Sequence, residues 1–140
     1  MMDVFRRSDY VICCLPLTTE TKHCISRRHF EALGSDGWFI NISRGDVVDQ
    51  ESMLDALNSG LIGGAVLDVT SPEPLPPGHA LWSARNCYIT PHSSWKTEAT
   101  TIREDRNFLE NARRFINEES LIAEVTSISD AKSENKVFIL

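Results

Sequence analysis

The chain is short of the features that would place it in a specialised class. Its longest apolar run, Tyr10 to Leu17, falls far below the ~20 residues a membrane-spanning helix needs. Arg6 and Arg7 are not followed by an apolar stretch of signal-peptide length, so no secretory leader is expected. Positive charge is in the minority: 14 Lys and Arg stand against 20 Asp and Glu, a net charge of -6. An acidic chain gains nothing from counterion release on a phosphate backbone, which argues against nucleic acid as a partner. Cysteine is sparse, and Cys13, Cys14, Cys24 and Cys87 form no C-x-x-C pair, so no zinc site is signalled. Cys13 and Cys14 lie inside an apolar run and are expected to act as buried, reduced thiols on opposite faces of a strand. These exclusions point to a cytoplasmic protein with no metal, no membrane and no nucleic acid.

What remains is globular. Hydrophobic residues make up 41 % of the 140, with three Trp, two Tyr and six Phe, which disfavours whole-chain disorder. That length reads as one domain, able to bury roughly two thirds of its unfolded surface. Between Tyr10 and Thr90, short β-rich runs alternate with helical patterns. Residues 10–15 are continuously apolar, the pattern of a strand covered on both faces. A helix follows, capped by Ser26, stapled by Ile25 and Phe30 and stopped at Gly34. Residues 38–42 read as the second strand. Asp49 caps a second helix with Met53, Leu54 and Leu57 on its apolar side, ending at Gly60. Residues 64–69 and 87–90 complete the strands. This alternation is the signature of parallel βαβ units, an α/β fold. Prolines 72, 74, 76 and 77 and Gly78 predict a stiff, extended loop over 70–80. After His92 a long helix is expected, with Ile102, Leu109, Ala112, Phe115 and Ile116 at helical spacing and a Glu110–Arg114 pair. From Ser127 onward the sequence turns polar.

The chemistry gathers where the strands end. Leu15-Pro16 follows the first, Ser43-Arg44-Gly45 the second, Asp68 closes the third, and Thr90-Pro91-His92 follows the fourth. In an open parallel sheet these carboxyl ends share one edge, and ligands bind in the crevice there. Taken singly, each residue has a plainer reading. Arg44 suits a solvated turn, Asp68 a capping carboxylate, Glu73 an exposed loop charge, and His92 a loop-capping imidazole. Their convergence on one edge is what favours a site, and Pro72 and Pro74 hold Glu73 at low entropic cost.

Five segments together resemble the D-isomer-specific 2-hydroxyacid dehydrogenases, which include glyoxylate/hydroxypyruvate reductases. They are Leu15-Pro16-Leu-Thr-Thr-Glu-Thr, Asn41-Ile-Ser-Arg44-Gly45, Gly64-Ala-Val-Leu-Asp68-Val, Pro72-Glu73-Pro74-Leu and Thr90-Pro91-His92, in the family's order. The resemblance implies the second half of a Rossmann-like, doubly wound nucleotide-binding domain with a C-terminal helix. It implies NAD or NADP as cofactor and a small 2-oxo or 2-hydroxy acid as substrate, with a homodimer as the full-length form. It implies catalytic roles for Arg44, Glu73 and His92. Arg44 would bind the substrate carboxylate, His92 would move the proton, and Glu73 would orient His92. Leu15, Pro16, Ile42, Ser43, Arg44, Asp68, His92 and Ser94 would line the cofactor cleft.

The same likeness exposes gaps. The seven glycines make no G-x-G-x-x-G, the loop that cradles a dinucleotide pyrophosphate. The expected layout is therefore a partial nucleotide-binding domain over 1–95, a helix over 96–125 and a polar tail over 126–140. A chain so composed is expected to be inactive alone. The alternative is a non-catalytic interaction module of the same fold that associates with a full-length paralogue. Trp95 stands where many members carry small residues, and it would narrow the pocket or alter substrate choice.

Overall fold

A computed structural model describes residues 1–123; the tail expected over 126–140 lies outside them. The chain divides into two compact units, Met1–Ser93 and a second that begins at Ser94.

The first unit is a four-stranded parallel sheet in the order β1-β2-β3-β4, formed by Tyr10–Cys13, Trp38–Asn41, Gly64–Leu67 and Cys87–Ile89. The α/β expectation holds, with each strand one or two residues shorter than its apolar run. Three helices accompany it: α1 (Met2–Arg6), α2 (Arg27–Leu33) and α3 (Gln50–Asn58). Helix α2 starts after Ser26 and is stopped by Gly34 at φ 81°, a left-handed conformation that glycine adopts without a Cβ penalty. Ile25 and Phe30, the predicted staple, are both in the core. Asp49 caps α3 by accepting from the Ser52 N–H, and Ser52 Oγ donates to its other oxygen at 2.5 Å.

Strand register sorts the side chains into two faces. One face carries the rows Val11–Phe39–Ala65–Cys87 and Cys13–Asn41–Leu67–Ile89. Helices α1, α2 and α3 supply Phe5, Phe30, Leu33, Met53, Ala56 and Leu57 to the same cluster. Phe39 is fully buried, its ring edge-on to Phe30 at 5.6 Å and stacked with Phe5 at 6.2 Å. The other face carries Tyr10–Trp38–Gly64 and Ile12–Ile40–Val66–Tyr88. Tyr10, Ile12 and Tyr88 on it are 67 %, 47 % and 60 % exposed. Covering of β1 on both faces is thus corrected: its pattern is exposed, buried, exposed, buried, because all three helices of this unit share one cluster. Trp38 lies across Gly64 and stacks on Tyr88 at 6.1 Å. A Cβ on Gly64 would sit 2.6 Å from that indole.

Two further expectations change. Cys14 is exposed, since it follows the last residue of β1 and leaves the sheet, while Cys13 alone of the pair is buried. All four cysteines are free. The proline segment is not extended: it bends at residues 71–74, turns at 77–78 and runs into a short 3-10 turn over Ala80–Ser83. Its Ser71–Pro72 and Glu73–Pro74 peptide bonds are both cis.

The second unit contains α4 (Glu98–Ile116), capped by Thr97, which accepts from the Thr100 N–H at 3.1 Å. None of its residues is buried. The predicted Glu110–Arg114 pair is present at 2.7 Å, and Arg113 bridges Glu110 and Glu119 at 2.9 Å each. Hydrogen bonds from Arg113 and Arg114 hold the Glu110 carboxyl down to about 2.

Candidate functional site

Parallel strands bring four chain reversals to one edge, and each is fixed by its own hydrogen bonds. At the end of β2, Asn41 occupies a core-facing position and is 1 % exposed. Its amide oxygen accepts from the Ser43 N–H at 3.1 Å and the Ser43 hydroxyl at 2.9 Å, while its NH2 donates to the Arg44 carbonyl at 3.0 Å. One buried amide therefore shapes the turn that presents Arg44. The Ser43 hydroxyl also lies 3.3 Å from the Cys13 thiol of β1. Arg44 is exposed, and its guanidinium donates to the Ser43 carbonyl at 2.7 Å. Next, Gly45 lies flat against the loop after β3, where any Cβ would stand 2.0 Å from the Thr70 carbonyl oxygen. Only glycine permits that approach.

At the end of β3, Asp68 is 4 % exposed. One carboxylate oxygen accepts from the Thr90 hydroxyl at 2.5 Å and the Ser93 N–H at 3.0 Å, tying the ends of β3 and β4 together. Burial of a carboxylate is tolerated because charge-assisted bonds replace its water. Glu73 joins the two loops a second time. Its Oε1 accepts from the Thr70 N–H at 2.9 Å, and its Oε2 lies 3.0 Å from His92 Nδ1. An ionised carboxylate only accepts, so the Glu73 contact places a proton on Nδ1 and leaves proton exchange with a ligand to Nε2. His92 has φ 51°, a left-handed backbone that turns the chain sharply after Pro91.

Glu73 and His92 border a cavity of about 340 Å³ that is also lined by the polar Asp68, Thr70 and Thr90 and by the apolar Leu75, Trp82 and Ile89. The structure thus brings three of the predicted residues, Asp68, Glu73 and His92, around one space. Arg44 and Ser43 are set by the neighbouring strand end. Leu15 packs against the core, Pro16 is exposed with its carbonyl accepting from the Thr21 hydroxyl at 2.6 Å, and Ile42 is 40 % exposed. Ser94 and Trp95 belong to the second unit. Sequence reasoning passed over Asn41, Thr70 and Thr90 as binders of these loops. The signal was present for Asn41, a polar residue at a core position of a strand. Among the described residues no three His, Cys, Asp or Glu side chains are grouped as metal ligands would be.

Residues 1–94 match the family model of the D-isomer specific 2-hydroxyacid dehydrogenase, NAD binding domain. The chain belongs to this family. Glyoxylate reductase/hydroxypyruvate reductase of Mus musculus is 47 % identical over 96 residues, which are 66 % of this chain and 29 % of that protein. A D-isomer specific 2-hydroxyacid dehydrogenase from Xanthobacter autotrophicus, solved with NADPH and MES, superposes with a TM-score of 0.76 at 36 % identity, covering 89 % of this chain and 50 % of that one. An NADPH-dependent glyoxylate/hydroxypyruvate reductase from Sinorhizobium meliloti, solved with NADP and malonate, gives 0.78 at 29 % identity, covering 89 % and 39 %. The chain therefore spans 29 % to 50 % of the length of these relatives.

For a family defined by a nicotinamide dinucleotide, the donor set at this edge fits one end of the cofactor. A buried, well-anchored carboxylate at Asp68 suits the NH2 of a carboxamide, and the Ile42 side chain offers apolar surface to a ring. The pyrophosphate end has no G-x-G-x-x-G in this sequence to receive it.

Proposed function

We propose that this chain carries the proton-transfer half of an NAD(P)-dependent oxidoreductase acting on the CH–OH group of 2-hydroxy acids, with a 2-oxo acid such as glyoxylate or hydroxypyruvate as substrate. The observation that carries this reading is the Glu73–His92 pair at 3.0 Å, on the rim of a cavity it shares with buried Asp68. A nicotinamide held beside Asp68 would supply the hydride. Arg44 binds the substrate carboxylate through two parallel N–H donors, a geometry that guanidinium offers and ammonium does not. His92, protonated, donates from Nε2 to the substrate carbonyl oxygen as that oxygen gains charge, and accepts the proton back in the reverse direction. Glu73 keeps Nδ1 protonated and the ring oriented, with its second oxygen braced by Thr70. Pro16, Ile42 and Ser43 complete the cofactor surface, and Leu15 supports it from the core side.

The 140-residue chain by itself binds dinucleotide weakly and turns over negligibly, because its sequence holds no phosphate cradle. The test is a chimera in which this chain replaces the matched 96 residues of the mouse enzyme. Reductase turnover is expected, and His92→Gln should lower kcat by about 10²–10⁴-fold. A folded chimera indifferent to His92→Gln removes the assigned role, and micromolar NADH or NADPH binding by the chain alone in calorimetry removes the claim of weak binding.

A second reading, a non-catalytic module that associates with a full-length relative, is favoured by the open apolar sheet face. Co-sedimentation with a full-length homodimeric relative, unaffected by Glu73→Gln and His92→Gln together, would support it over the first.

A further inference from the structure

We propose that Gln50, with Asp46, is a positioning residue that holds the Glu73 loop in register with the Arg44 turn; this rests on the acid–base reading of Glu73 and His92. Glu73 is separated from Ser71 by a single residue, and Ser71 is gripped from three directions. The Gln50 amide donates from Nε2 to the Ser71 carbonyl at 2.5 Å and accepts the Ser71 N–H on Oε1 at 2.9 Å. One side chain thus satisfies both backbone groups of one residue, as a neighbouring strand would. The Ser71 hydroxyl donates to Asp46 Oδ1, a bond that keeps the Asp46 carboxyl ionised below its ordinary range.

The grip has a defined origin. Asp46 and Gln50 sit in the short stretch that begins at Arg44, passes through a 3-10 turn over Gly45–Val47 and enters α3 at Gln50. Gly45 in that stretch already touches the Thr70 carbonyl. The Asn41-braced turn and the Glu73 loop are therefore locked to each other at Gly45–Thr70, Asp46–Ser71 and Gln50–Ser71. From Ser71 the order passes to Glu73 by two bonds, Thr70 Oγ1 to the Pro72 carbonyl at 3.0 Å and Thr70 N–H to Glu73 Oε1 at 2.9 Å. From there it reaches His92 Nδ1. Gln50 is not among the residues that line the cavity. Its role is to fix how far the carboxylate-binding arginine stands from the proton-transferring imidazole, a distance that oriented catalysis must hold closely.

The experiment uses the full 140-residue chain, ¹⁵N-labelled, in NMR. In the unaltered chain the His92 imidazole should show Nδ1 protonated, and the Thr70 and Ser71 amides should be protected from exchange. Gln50→Ala removes both bonds to Ser71; it should raise exchange at these two amides by about tenfold, leave Phe39 and Leu67 amides unchanged, and shift His92 toward a mixture of tautomers. Gln50→Glu keeps the acceptor, loses the donor and should give a smaller change in the same direction. Ser71→Ala, which retains the backbone bonds, should move His92 least. Unchanged exchange and an unchanged His92 signature in folded Gln50→Ala overturn the proposal. The catalytic reading fails separately, if Glu73→Gln leaves the His92 tautomer untouched while the Gln50 variants still loosen Ser71.

Discussion

The two faces of the sheet are built from similar material and have different surroundings. Val11, Phe39 and Leu67 face α1, α2 and α3 and are all but inaccessible, while Tyr10, Ile12 and Tyr88 on the opposite face remain exposed. The open face has the larger aromatic content, so apolar side chains alone do not make a core. A core needs a second layer, which the first unit supplies on one side only, through amphipathic segments whose caps and stops place Phe30, Met53 and Leu57 over the strands. Where that layer is missing, aromatic rings shield one another instead, as Trp38 and Tyr88 do across Gly64.

Substitutions can break this contrast, beginning with its strongest term. Phe39→Ala empties the centre of the covered face and should cost about 3–5 kcal/mol in denaturant unfolding. Gly64→Ala tests the open face by steric means. The new methyl would meet the Trp38 ring at 2.6 Å and the Asn86 carbonyl oxygen at 2.7 Å, so a loss of about 1–3 kcal/mol is expected, together with a change in tryptophan emission. On the covered side lies His29, 1 % exposed, with Nδ1 accepting from the Ser26 N–H at 3.1 Å and its ring 5.0 Å from Phe5. Burial, the larger cause, and then Arg28 lower its pKa below the ordinary 6.5. The unfolded chain therefore takes up the proton first, and the stability present above pH 6.5 is lost as pH falls below it. His29→Gln keeps the capping acceptor and should flatten that part of the pH–stability profile. Tyr10→Thr, on the open face, should change stability by no more than about 0.5 kcal/mol. A much larger loss would mean that this face is covered in solution.

Much of the architecture was legible because it follows from local rules. Ser26, Gly34 and Asp49 announced the helix ends through groups that satisfy or release backbone bonds, and the β-rich runs marked all four strands. Covering was not legible for β1. A continuous apolar run has the same appearance whether its second face meets a helix or nothing, so the exposure of Tyr10 and Ile12 depends on which helices exist around it. At the site, Asp68 and His92 at strand ends were legible from the parallel-sheet rule, while Glu73 beside His92 was implied by the family resemblance. The bend of the proline loop was not, because it is set by Gln50 and Asp46, more than twenty residues earlier in sequence. Such long-range side-chain-to-backbone bonds leave no local periodicity to read.

Asn41 stands in a core row between Cys13 and Leu67, where a leucine would add buried apolar surface. Its amide instead shapes the turn at Arg44. Evolution toward a tougher fold and evolution toward a better-formed ligand edge thus pull this one position in opposite directions. A selection for heat resistance alone should discard the asparagine early, and the ordered turn would go with it.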